Sequence, residues 1–113
     1  MFAEVKAMMP NRISGKSYDE QVAMWTKAAV ADLTGDQIVL DGVCDISCTK
    51  NEETGVVTVT DNSSIEDELV FAACAVYCSM NIGNPPNYDN LRAAYNAYKG
   101  HMRTSRKYKG AEG

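Results

Sequence analysis

The chain has 113 residues, of which 45% are hydrophobic and 23% charged, which is the composition of one globular domain rather than of a disordered chain. Its formal net charge of -4 is uneven, because five of the eleven Lys and Arg residues fall from Lys99 onward against the single acid Glu112. Residues 99–113 therefore form a basic tail on an acidic body. No run of about 18 apolar residues occurs, and the opening stretch, with Glu4, has no signal-peptide core, so neither a membrane span nor a secretory route is expected.

Phe2, Val5 and Met9 recur at helical spacing before Pro10 and predict a short first helix. Ser17-Tyr18-Asp19-Glu20 has the capping-box form, in which the serine oxygen accepts an amide proton and the glutamate returns to the serine amide. A helix carrying Val22, Trp25, Ala29 and Leu33 should follow, with Gly35 as its left-handed stop. Residues 38–60 change character. Ile38, Val39, Val43, Ile46, Val56, Val57 and Val59 sit among threonines and turn residues, and Lys50-Asn51-Glu52-Glu53-Thr54-Gly55 has the length of a hairpin loop.

The helical period returns with Ile65, Leu69, Ala72 or Ala73, Val76 and Met80, and Glu66, Asp67 and Glu68 are expected in the first turn, where acids suit the helix dipole. That helix should end near Asn81-Ile82-Gly83, because Pro85-Pro86 forbids continuation. Asn87 can cap a last helix with the stripe Tyr88, Leu91, Tyr95, Tyr98 and Met102. The expected fold is mainly α: a small bundle of three main helices plus a short N-terminal helix, with a β-hairpin insertion around residues 38–60. Residues 1–98 form this single domain and residues 99–113 the tail.

Chemistry is harder to find. Cys44-x3-Cys48 and Cys74-x3-Cys78 could supply four thiolates. On a strand, however, the first pair would stand about 13 Å apart, too far to share one tetrahedral ion. The cysteines read as reduced thiols used in packing. His101 is the only histidine, and no Ser or Cys is set beside it by a local motif. It reads as an exposed histidine near a helix C-terminus. No catalytic residue, metal set, phosphate loop or cofactor motif emerges, so an enzyme is not expected.

The order of elements resembles that of the head-tail connector (adaptor, or head-completion) proteins of long-tailed bacteriophages. The residues that carry the resemblance are the N-terminal segment with Val5-Lys6, the helix from Tyr18 to Leu33 ending in Thr34-Gly35, and the alanine-rich run Ile65 to Tyr77. The Asn84-Pro85-Pro86-Asn87-Tyr88 turn, the run Leu91 to Met102 and the basic end complete it. It covers most of the chain and is a resemblance of architecture. The departure is the middle segment, whose strand-like composition is stronger than the family leads one to expect.

The resemblance implies a structural adaptor of the virion neck, assembled in the host cytoplasm as a ring of about twelve copies. That ring would lie between the portal protein of the DNA-filled head and a tail-joining or head-closure protein. Lys99, Arg103, Arg106, Lys107, Tyr108 and Lys109 would dock on the portal. Tyr88, Tyr95, Tyr98, Glu66 and Asp67 are candidate subunit-interface residues. DNA would pass through an acidic channel without specific binding, and no cofactor or membrane is involved. The alternative is a small nucleic-acid-binding or regulatory protein that uses the same basic tail.

Overall fold

A computed structural model describes residues 1–83, 85–105 and 108. Among these, the chain forms four helices, three of them long, and one antiparallel hairpin: α1 (Phe2–Ala7), α2 (Asp19–Gly35), β1 (Ile46–Lys50), β2 (Val57–Asp61), α3 (Glu68–Asn81) and α4 (Tyr88–Thr104). This is the mainly helical bundle with a hairpin insertion that the hydrophobic periods predict.

The bundle is organised around α3, which packs against α1, α2 and α4. Val70, Phe71, Ala73, Cys74, Ala75, Cys78, Ser79 and Met80 are all buried along it, so it is enclosed on several sides rather than along one stripe. Of the stripe expected from the sequence, Ile65, Ala73 and Met80 are buried, whereas Leu69, Ala72 and Val76 are only half-buried. A helix enclosed by three neighbours needs apolar or small residues nearly all round, and a single-stripe reading loses its contrast there. The alanines and cysteines facing α2 are small, which allows close helix contact. Thr26 is fully buried in this contact, with its hydroxyl 3.5 Å from the Cys78 thiol.

The helix ends differ in detail from expectation. Ser17 does not cap α2: it lies in a short 3₁₀ turn, Lys16–Tyr18, and no side chain bonds the first amides of the helix. Asp19 at the helix start is instead drawn into an ion pair with Lys6 of α1, at 2.6 Å. Nor is Gly35 the left-handed stop. It is the last helical residue, and Gln37 takes the positive φ of 66°. The amides of Gln37 and Ile38 bond back to the carbonyls of Thr34 and Leu33, and Ile38 is buried together with Leu33. This is a Schellman ending, in which the apolar contact and the paired carbonyls offset the strain at Gln37. For α3, Asp67 is the cap and accepts the Leu69 amide at 2.9 Å, so Glu66 and Asp67 precede the first turn and Glu68 alone lies in it. Asn87 occupies the N-cap position of α4 without a side-chain bond.

The ladder is shorter than residues 38–60. It runs from Ile46 opposite Asp61 to Lys50 opposite Val57. Residues 38–42 lie outside the pairing because the chain bends at Gly42, where φ is 107° and an added Cβ would stand 2.8 Å from the Ser64 carbonyl group. Beyond the formal strands the pairing continues, with the Ser63 and Ser64 hydroxyls accepting the amides of Asp45 and Val43. The hairpin rests on α2. Along β2, Val57 and Val59 are half-buried and Thr58 and Thr60 exposed, the alternation of a strand with one covered face, whereas β1 is buried only at Ile46.

Asp61 joins the hairpin to the start of the chain, accepting the Phe2 amide at 2.7 Å and pairing with the Met1 amino group at 2.9 Å. α4 continues without a break through residue 98 to Thr104, so residues 99–104 of the expected tail are helical.

Candidate docking site

α2 and α4 both pack on α3, and long side chains reaching between them form one polar row. Tyr95 donates its hydroxyl proton to Asp32 at 2.6 Å. One turn along, Lys99 bonds Asp32 at 3.0 Å and also Asp36, and a further turn along Arg103 reaches Asp36 at 2.8 Å. The pattern is Asp32-x3-Asp36 against Lys99-x3-Arg103, each pair one helical turn apart and so on one face. The bond from Lys99 holds the Asp36 carboxyl below its usual range, opposed by burial and assisted by Arg103. Burial disfavours the Lys99 cation, but its bonds to Asp36 and Asp32 outweigh this and raise its pKa.

Two of the cations expected to face the portal are thus engaged within the chain. Tyr108 is also seated on the body: it is buried, its hydroxyl donates to Asp67 at 2.5 Å, and its carbonyl accepts the Val39 amide at 2.7 Å. Burial, followed by the Asp67 carboxylate, pushes the Tyr108 phenol upward. Arg106, Lys107 and Lys109 lie outside the described residues.

The candidate interface residues are spread over different surroundings. Tyr95 is in the core, with its ring 4.9 Å from that of Tyr77, which in turn lies 6.0 Å from Trp25. Tyr98 is half-buried, while Tyr88 and Glu66 are exposed. Asp67 is half-buried and serves as both the α3 cap and the Tyr108 acceptor. Tyr88 and Glu66 are therefore the members of the set open to a neighbour.

The cysteines divide by burial. Cys74 and Cys78 are buried on α3, Cys44 is half-buried and Cys48 exposed. Burial raises all four thiols, Cys78 to about 11, which disfavours the thiolate that nucleophilic or metal chemistry needs. Among the described residues no group of three or more His, Cys, Asp or Glu is arranged to hold a metal ion, and no helix is long and apolar enough to cross a membrane. His101 is exposed near the end of α4.

One surface was not singled out by sequence reasoning. The loop after α2 and the C-terminal half of α2 enclose a groove of about 550 Å³ lined by Val30, Val39, Leu40, Val43 and Cys44, among others. Val39 and Val43 are 50% and 62% exposed. Their β-branched character was assigned to a strand, which concealed that the bend at Gly42 leaves them on the surface.

The chain matches none of the protein-family models, curated proteins or solved structures with which it was compared.

Proposed function

We propose that this protein is a structural adaptor of a tailed-phage neck, one subunit of a ring that joins the portal of the DNA-filled head to the tail. The observation that supports this reading is the spatial arrangement of the elements that carry the resemblance. A short N-terminal helix and two long helices surround the alanine-rich α3, and the hairpin leaves one polar face free. A domain of this size gains stability from neighbours, and the acidic outer faces suit a channel along which DNA slides by like-charge repulsion.

The polar row changes which basic residues can dock. Lys99 and Arg103 hold α4 to α2, so portal docking in this reading falls to Arg106, Lys107 and Lys109. The same pairing weighs against the nucleic-acid-binding alternative, because two of its five cations already face carboxylates of the same chain.

The test is assembly on purified portal rings, followed by sedimentation and negative-stain electron microscopy. The reading expects an added ring of about a dozen subunits, lost when Arg106, Lys107 and Lys109 are all changed to Glu. A chain that stays unbound in the presence of portal rings would sink the proposal. Binding that survives the triple change would sink the assignment of those three residues.

A further inference from the structure

The groove beside α2 does not stand alone. At its Asp41–Gly42 edge it meets a smaller cleft of about 140 Å³ lined by Asp41, Ser64, Glu66 and Asp67, because Gly42 packs directly on the Ser64 backbone. An apolar depression thus adjoins an acidic one. Asp41 and Glu66 are exposed, and neither forms an ion pair among the described residues. An exposed apolar patch with a polar rim is the usual mark of an interaction site.

The backbone at the groove is also open to pairing. Asn62 and Ser64 donate their amides to the carbonyls of Asp45 and Val43, so those two residues face β2. By the alternation of an antiparallel ladder, Cys44 between them directs its amide and carbonyl outward. Cys44 lines the groove. An extended chain could therefore bond to this edge while placing one side chain in the groove and a nearby one over the acids.

We infer that this surface docks an extended segment of a partner protein in which an aliphatic side chain stands close to a lysine or arginine. Charge disfavours the hairpin tip of a second copy as the occupant. The protein's exposed hairpin tip does present an apolar residue, Val56, but it carries Glu52 and Glu53 in the same turn, which Asp41 and Glu66 would repel.

The test is an NMR titration of the ¹⁵N-labelled full chain with three blocked tetrapeptides: Lys-Val-Lys-Val, Lys-Ser-Lys-Ser and Glu-Val-Glu-Val. With the first, the amides of residues 38–44 and 64–66 should shift with a dissociation constant of about 1 mM, the order reached by few contacts. The other two should bind at least about tenfold more weakly. Val43→Asp and Asp41→Lys, both at exposed positions, should each weaken Lys-Val-Lys-Val by a similar factor while leaving the far-UV circular dichroism unchanged. The inference is overturned by no shift in those residues up to about 5 mM peptide, or by equal affinity for all three peptides. It is equally overturned if the same amides shift on raising the protein concentration alone, which would assign the surface to a second copy.

Discussion

The Tyr95 hydroxyl lies 2.6 Å from the Asp32 carboxylate, and through this bond the last helix is held to the second across the core. Burial and the neighbouring carboxylate both raise the phenol's pKa, so the tyrosine remains a donor. Tyr95→Phe keeps the ring contact with Tyr77 and removes the donor. It should destabilise the fold by about 1.5–3 kcal/mol, the range for a hydrogen bond to a charged group, read as a lower urea midpoint at unchanged slope. Asp32→Ala also removes one of the two carboxylates that hold Lys99 and should cost at least as much. Equal stability of Tyr95→Phe and the parent chain would show that the bond contributes nothing.

The Asp61 carboxylate predicts an acid-sensitive fold. Burial opposes its ionisation, yet the Phe2 amide, Ser63 and the Met1 amino group together hold it well below the usual carboxylate range. A group whose folded pKa is depressed contributes stability above its unfolded value and loses it as the pH falls toward the folded one. The melting temperature should therefore fall on acidification below the unfolded value of about pH 4. Asp61→Asn should melt lower at neutral pH and show a flatter decline below pH 4. A variant with the parent's acid slope would assign that slope to other carboxylates.

Gly42 is predicted to tolerate no side chain. Its φ of 107° is disfavoured for L-residues, and a Cβ would meet the Ser64 carbonyl group and the Ile65 amide at 2.8 Å. Gly42→Ala should cost about 1–3 kcal/mol from backbone strain alone. Gly15→Ala, where an added Cβ meets nothing within 4 Å, is the matched control and should be near neutral. Thermal melts of the two variants decide this directly.

Thiol accessibility follows the burial order. Under native conditions a thiol reagent should modify Cys48 first and Cys44 more slowly, and reach Cys74 and Cys78 only on unfolding. Peptide mapping after timed labelling with iodoacetamide gives the order. Early labelling of Cys74 would contradict the enclosed position of α3.

Much of the bundle was legible because its cause is local. The capped, periodic segments and the Pro-Pro break are short-range signals, and the four helices lie close to where they point. The capping box at Ser17 misled although its residue types were right, because the chain enters α2 through a 3₁₀ turn that contains Ser17. The groove beside α2 was illegible because the valines before β1 have strand composition whether or not they pair. Only the bend at Gly42, forced against Ser64, turns Val39 away from the hairpin, while Val43 pairs with Ser64 and still keeps its side chain exposed.

By itself, then, the sequence determined the helices, the presence of a hairpin and the uneven charge, all of which follow from period, turn chemistry and composition. The tertiary structure decided which groups those charges meet. Lys99 and Arg103 read as a free basic arm along the chain, yet in space they face Asp32 and Asp36, and Tyr108 is buried against Asp67. The pairing spans more than sixty residues for Asp32 with Lys99, and it exists only because α2 and α4 both pack on α3. No signal within either segment alone could have specified it, although the matching one-turn spacings of the two acids and the two bases were there to be read together.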